Sequence, residues 1–174
     1  MSPFVRRTAL LLAALCLQAC SPAFNWREVR MDNAPLVALL PCKPDKGAKT
    51  LSLGGVPTEL QMQGCEAGGG LFTVAAARLQ PPVDIEQTLR QWKIALLANA
   101  RTTTSQDQNF APPGAVPVPA SVLATFNGQR ADGSPVWGQV ALFAQGDQIF
   151  QAAVFADKPL AEPATTFFSS LRLR

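Results

Sequence analysis

The stretch VWGQVALFAQGDQIFQAAVF, residues 136–155, determines which kind of fold the chain can form. Two apolar runs, 136–144 and 148–155, are joined by Gly146-Asp147, a residue pair typical of tight turns. The pattern therefore predicts an antiparallel hairpin whose large side chains supply much of the core. The core residues expected from it are Trp137, Val140, Leu142, Phe143, Ile149, Phe150 and Phe155.

Further strands are predicted on the N-terminal side of this hairpin. Residues 121–127 precede it and are connected to it through a turn at Asp132-Gly133. Earlier in the chain, short apolar or alternating runs between Gly and Pro residues are typical of strands. These earlier strands are predicted at 26–31, 36–40, 50–53, 58–65 and 71–79.

Two helices are predicted between and after the strands. The first spans 85–98, where Asp84 is a suitable N-cap and Gln87 completes a capping-box pattern. Its apolar stripe consists of Ile85, Leu89, Trp92 and Leu96. The second is a short amphipathic segment at 160–171. The fold class predicted from this order is α+β, a single antiparallel β-sheet with a central and a C-terminal helix packed on it.

The link at 101–119 is polar at first and then rich in Pro. Structureless links of this length are uncommon inside compact domains and are often binding loops or mobile segments. Phe110 is its single aromatic residue. We consider two roles for Phe110, an exposed anchor for a partner or a side chain tucked against the domain, and favour the second.

The first 20 residues have the pattern of an export signal. Arg6 and Arg7 precede an apolar run at 9–17 that is too short for a membrane-spanning helix, which needs roughly 20 residues. The run ends in Leu17-Gln18-Ala19-Cys20, which resembles the lipobox of bacterial lipoproteins. An ordinary secretory signal with an incidental Cys is the alternative.

The lipobox resemblance implies cleavage before Cys20, a diacylglycerol on its sulfur and a fatty-acyl (palmitate-type) chain on its amino group. Two or three acyl chains hold a protein on a membrane almost permanently. Ser21, which is not Asp, favours the outer membrane by the sorting rule known for such lipoproteins. The predicted organisation is a signal peptide at 1–19, a lipidated tether at 20–25 and one domain at 26–174, facing the periplasm.

The charge of the chain gives no support for nucleic-acid binding. The formal charge of +3 comes from 15 Lys+Arg and 12 Asp+Glu. Loss of residues 1–19 removes two Arg and no acid, which leaves a net charge of +1. A nearly neutral domain without a basic cluster lacks the electrostatic footprint that nucleic acids require.

The cysteines outside the signal and the lipobox are Cys42 and Cys65. An even pair in an oxidising compartment is most simply one disulfide. Two free thiols are a second alternative. Redox chemistry is a third, which the absence of C-x-x-C spacing disfavours.

The chain also resembles known protein families in several short segments. They are WREVR at 26–30, LLPCKPD at 39–45, the capped central helix, the hairpin meander and FFSSLRL at 167–173. These segments resemble an uncharacterised family of bacterial lipoproteins and, more distantly, small exported proteins of the PsbP-like α+β fold. The resemblance implies an accessory, assembly or binding role.

Enzymatic chemistry finds little support in the residues. The absence of His excludes Ser-His-Asp and Cys-His catalysis, and the acidic residues are scattered in turns and at a helix start. No cofactor or metal site is predicted.

Three functions remain under consideration. We favour a non-catalytic, lipid-anchored accessory protein that contacts an envelope partner. The alternatives are a binding module for a small apolar or lipid-like ligand, and an enzyme without His. A cavity of several hundred Å³ lined by Trp92, Trp137 or Phe residues would favour the ligand-binding module.

Overall fold

The hairpin around Gly146-Asp147 lies at the centre of a large antiparallel sheet. The computed structural model describes residues 23–174, of which 49% lie in strands and 16% in helices. The strands are β1 (Arg27–Arg30), β2 (Leu36–Leu40), β3 (Asp45–Leu53), β4 (Val56–Ala67), β5 (Gly70–Arg78), β6 (Gln106–Asn109), β7 (Val122–Gln129), β8 (Pro135–Gln145), β9 (Gln148–Ala156) and β10 (Arg172–Leu173). The helices are α1 (Ile85–Asn99) and α2 (Ala161–Ser169).

The strands form two sheets, so the expected single sheet with a central and a C-terminal helix packed on it is wrong. Seven strands form the large sheet in the order β3-β4-β5-β9-β8-β7-β6. The three others form a small sheet in the order β1-β2-β10. All the pairings are antiparallel.

The separation of β2 from the large sheet has a physical reason. Strand β2 has the sequence LVALL and is buried at four of its five residues, so both of its surfaces need apolar cover. It packs on the large sheet and contacts α2, while β1 and β10 pair with its two edges. Pro41 and Pro44 follow it and cannot donate the hydrogen bonds that a continuous β2-β3 hairpin would need.

The large sheet has two faces that are covered differently. We call the face toward the small sheet and α2 the closed face; its buried side chains include Phe72, Val74, Phe143, Phe150 and Val154. We call the opposite face the helix face because α1 packs on it; its residues include Leu60, Met62, Ala75, Ile149 and Phe155.

Helix α1 forms as its sequence predicts. The Asp84 carboxylate accepts a hydrogen bond of 2.9 Å from the backbone N–H of Gln87, which satisfies one of the free donors of the first turn. The buried side of the helix consists of Thr88, Leu89, Trp92 and Leu97. Every one of these side chains lies toward the sheet or its connections, as the apolar spacing requires.

The ends of α1 show that it crosses the helix face diagonally. Near its start, Val83 and Thr88 contact the β3–β4 turn at Gly54. Just after its end, the carbonyl of Ala100 accepts a hydrogen bond of 2.8 Å from the backbone N–H of Gln129, the last residue of β7. The helix thus runs from the β3 edge at one end of the strands to the β7 side at the other end.

The structureless link expected at 101–119 is also different. It contains β6, which pairs with β7, and Val116, which pairs with Ala144. Val118 and Ala120 pack on the helix face. Phe110 is tucked against the domain, with its ring 6.0 Å from that of Phe143 and 6.3 Å from that of Phe168. The second of the two roles considered for Phe110 is therefore confirmed.

Neither helix within residues 23–174 is both long enough and apolar enough to cross a membrane.

Candidate functional site

The predicted disulfide is present and lies on the closed face. The Cα atoms of Cys42 and Cys65 are 5.9 Å apart, and the two sulfurs are bonded. Cys42 follows β2 and Cys65 belongs to β4, so the bond ties the small sheet to the large one. Its position in the closed-face core indicates a structural role.

The predicted lipidation site lies outside the described part of the chain. Cys20, the signal peptide at 1–19 and the first residues of the tether precede Ala23, where the description begins. Lipid attachment at Cys20 stays a prediction.

A mostly apolar groove lies between α1 and the helix face. Because α1 crosses this face diagonally, it leaves one corner of the sheet uncovered, where β4 and β9 flank the first half of β5. The opposite corner is covered by the segment that carries Val118 and Ala120. The groove has a volume of about 770 Å³, which is within the 300–1,000 Å³ typical of small-molecule sites.

The lining of the groove is mostly apolar. Its helix wall includes Trp92, which is 7% exposed, and Leu96. Its floor includes Met62 and the cross-strand pair Leu71 and Phe155. The whole lining consists of Lys49, Leu51, Ser52, Leu53, Gly54, Leu60, Met62, Leu71, Thr88, Gln91, Trp92, Ala95, Leu96, Asn99, Ala100, Gln129, Arg130, Val136, Gln151 and Phe155.

Leu71 is unusual for a large apolar residue in the middle of a sheet. It is 37% exposed although β5 has a neighbouring strand on each side. Its neighbour Phe72 is fully buried on the closed face. Sheet geometry alone does not expose Leu71; it is exposed because α1 does not reach this corner.

The charged residues of the groove are both cations. Lys49 and Arg130 lie in its lining, and no Asp or Glu among residues 23–174 lines it. The Arg130 guanidinium is held by Asp157 at 2.7 Å and donates to the carbonyl of Pro135 at 2.6 Å. Within the same described range, Lys49 has no carboxylate within 4 Å. Lys49 therefore offers the groove an unneutralised positive charge.

Two further depressions continue the groove along the uncovered corner. One of about 830 Å³ shares Met62, Leu71 and Phe155 with the groove and extends toward the start of β3. The other, of about 410 Å³, shares Leu71, Arg130 and Phe155 and surrounds the β4–β5 turn at 68–70. The groove is thus open at the end of the sheet that holds this turn.

The carboxyl groups with shifted pKa values lie away from the groove. Hydrogen bonds from Arg30 and then Arg172 lower the pKa of Glu28 on the small sheet. Hydrogen bonds from Ser134 lower the pKa of Asp132 in the β7–β8 turn. Burial raises the pKa of Asp107 on β6, but hydrogen bonds from Lys93 and Ser105 outweigh it, so that the pKa is lowered. These shifts follow from ion pairs and a turn and do not indicate a proton-transfer site.

The two tryptophans considered for a cavity lie on opposite sides of the large sheet. Trp92 lines the groove, whereas Trp137 belongs to the closed-face core. Sequence reasoning missed Leu71 and Lys49. The alternation of Leu60 and Met62 did indicate that one face of β4 is apolar, but it could not indicate how far α1 covers that face.

Among residues 23–174, no group of three or more Cys, Asp or Glu side chains is arranged to hold a metal ion. No protein-family model matches the sequence, and no curated protein is significantly similar to it.

Proposed function

We propose that the chain is a lipid-anchored, non-catalytic envelope protein whose groove binds a small apolar or lipid-like ligand. The observation that carries the proposal is the groove of about 770 Å³ between α1 and the helix face, with Trp92 in its wall. A mostly apolar concavity with a few polar groups at its rim is the usual form of a small-molecule site. The ligand-binding alternative therefore moves ahead of the accessory role that the sequence favours.

Two alanines of α1 provide a matched test of the groove. Ala95 and Ala98 are both exposed, but only Ala95 lines the groove. In Ala95→Phe, a ring occupies the groove, and we expect the Kd of the apolar fluorophore N-phenyl-1-naphthylamine to rise at least tenfold, a loss of about 1.4 kcal/mol. Ala98→Phe adds the same ring outside the groove and leaves the Kd unchanged.

The urea unfolding midpoint of both variants is measured alongside, so that a folding defect is not mistaken for a filled groove. Equal Kd values in the two folded variants, or no binding by the unaltered protein, would contradict the proposal.

The lipid anchor has its own test. Cys20→Ala removes the only thiol of the lipobox, so we expect the protein to leave the membrane fraction and to incorporate no labelled fatty acid. Continued membrane association of this variant would show that Cys20 is not the anchor.

A protein partner is the second candidate, and the exposed edge formed by β3 in the large sheet favours it. Strand β3 is paired only with β4 within the described residues, and its first six residues, 45–50, are exposed. Such an edge accepts an extended peptide as an added strand. Lys46 and Lys49 on this edge are also the residue type that protects edges from unwanted pairing. The edge is therefore weaker support than the groove.

A further inference from the structure

We infer that the ligand of the groove is an anionic phospholipid taken directly from the membrane that holds the Cys20 anchor, entering at the end marked by Leu71 and Phe155. This inference rests on the proposed function and names its ligand and the ligand's source. Three observations carry it: where the chain leaves the domain, where the groove opens and which charges lie at its rim.

The chain leaves the domain at the β4–β5 turn. The Phe24 ring packs on Gly68, where an added Cβ would come within 2.3 Å of the ring, and it lies 6.3 Å from the Phe72 ring. The backbone N–H of Asn25 donates to the carbonyl of Pro41 at 2.7 Å, which fixes the segment further. From Ala23 to Cys20 there are three peptide steps, which span at most about 11 Å. A lipid on Cys20 therefore places this end of the sheet at the bilayer surface.

The groove opens at that same end of the sheet. Gly70 begins β5, and Leu71 pairs with Phe155 near the end of β9. Both side chains line the groove and also the depression of about 410 Å³ around the turn at 68–70. An apolar opening this close to an anchored bilayer lets an acyl chain enter without crossing bulk water, where its exposure costs about 0.8 kcal/mol for each methylene.

The charges at the rim select the head group. Lys49 and Arg130 are the charged side chains of the groove, and Lys49 has no carboxylate partner within residues 23–174. Arg130 is already paired with Asp157, and the strand register places Lys49 level with Leu60 and Ala77, toward the end of the groove away from Leu71. A phosphodiester at Lys49, with an acyl chain that extends along the groove toward Leu71 and Phe155, gains a charge-assisted interaction, whereas a zwitterionic head group brings its own cation close to Lys49. Glu66 lies in the neighbouring depressions but not in the groove, so it leaves this preference in place.

The test uses the full lipidated protein in vesicles that contain a photoactivatable phospholipid with a diazirine in one acyl chain. We expect cross-links to Met62, Leu71 or Phe155 when the probe is phosphatidylglycerol, and at least fivefold fewer when it is phosphatidylcholine. Lys49→Glu reverses the charge at the rim and lowers the phosphatidylglycerol yield to the phosphatidylcholine level. Lys158→Glu is the control, because Lys158 is exposed just after β9, at the end of the sheet where the groove opens, but outside the groove. Its yield stays within about twofold of the unaltered protein.

A second arm tests the source of the lipid. Insertion of about 30 Gly and Ser residues between Ser21 and Pro22 separates the groove from the bilayer and lowers its effective concentration at the surface. We expect a severalfold lower cross-link yield, with unchanged binding of N-phenyl-1-naphthylamine in solution.

The outcomes separate this inference from the proposed function. Equal yields for the two phospholipids, cross-links outside the groove, or a yield that the long linker does not lower would each overturn the inference. The proposed function would still stand if the naphthylamine probe binds and Ala95→Phe blocks it. Failure of that probe experiment would overturn both.

Discussion

The two faces of the large sheet are formed by the same strands, yet they are covered in different ways. On the closed face, β2, α2 and several aromatic rings exclude solvent, and Phe72, Phe143 and Phe150 are fully buried. On the helix face, α1 is the one helix, and it crosses the sheet diagonally. It does not reach the corner that holds Leu71, which is 37% exposed. The closed face therefore provides stability, and the helix face provides the space in which a ligand fits.

Adjacent residues of β5 give the most direct test of this comparison. Phe72→Ala leaves a cavity in the closed face, and we expect a loss of about 3–5 kcal/mol in the free energy of unfolding. Leu71→Ala on the helix face removes a partly exposed side chain, and we expect a loss below about 1 kcal/mol. Urea unfolding of the oxidised protein measures both values. Equal losses would mean that the two faces are packed alike.

The disulfide is the next largest contribution and belongs to the closed face. The double variant Cys42→Ala, Cys65→Ala removes a cross-link across 23 positions, and we expect it to destabilise the fold by about 3 kcal/mol. Neither cysteine lines the groove itself, so we expect the folded variant to bind the naphthylamine probe with a Kd within about twofold of that of the unaltered protein. Free labelling of both thiols in the unfolded, unreduced protein would show that the bond is not formed.

A glycine of β7 tests how α1 is held over the helix face. A Cβ on Gly128 would lie 2.1 Å from the carbonyl oxygen of Ala100, so Gly128→Ala pushes the end of the helix away from β7. We expect a loss of about 1–3 kcal/mol and an altered Kd for the probe, because the helix is one wall of the groove. Gly47→Ala is the control: a Cβ there has no atom within 4 Å among residues 23–174. If Gly128→Ala changed neither the free energy of unfolding nor the Kd, α1 would be free to shift.

The smallest expected effect concerns the ion pair between Lys93 of α1 and Asp107 of β6. Because the pKa of Asp107 is lowered in the folded state, its contribution is fully present above the ordinary pKa of an aspartate and is lost as the pH falls through the lowered value. We expect Asp107→Asn to cost about 0.2–1 kcal/mol at neutral pH. Unfolding curves for the variant and the unaltered protein should converge once the pH has fallen below the lowered pKa of Asp107. If the difference in the free energy of unfolding did not change with pH, the loss would come from packing and not from the ion pair.

Much of the fold was predictable where the signal is local. The apolar spacing of α1 and its Asp84 cap correctly predict that the helix begins at Ile85. The turns at Gly133 and Gly146 locate β7, β8 and β9. The disulfide followed from the number of cysteines. Strand β6 and the beginning of β3 were missed because QDQN and DKGAK are polar and fully exposed, without the alternation that marks a half-buried strand.

The division into two sheets was not predictable for a different reason. The sequence of β2 shows that it is buried but not which strands pair with its edges, and β10 is only two residues long. The groove depends on the crossing direction of α1, which is fixed by distant contacts at Gly54 and Ala100. The sequence indicates Trp92 as a candidate cavity residue. Leu71 and Lys49 line the groove only because α1 crosses the sheet in this direction.

The position of β2 between β1 and β10 has a consequence for the order in which the chain folds. The backbone N–H of Leu39 donates to the Ser170 hydroxyl, 131 residues further along the chain, and β10 pairs with β2 in the same region. A chain that is synthesised from its N-terminus must hold LVALL exposed until residues 170–173 have followed. Such non-local pairing folds slowly, and an exposed apolar strand aggregates readily. The small sheet is therefore the part of the fold that is completed last and is exposed to aggregation for longest.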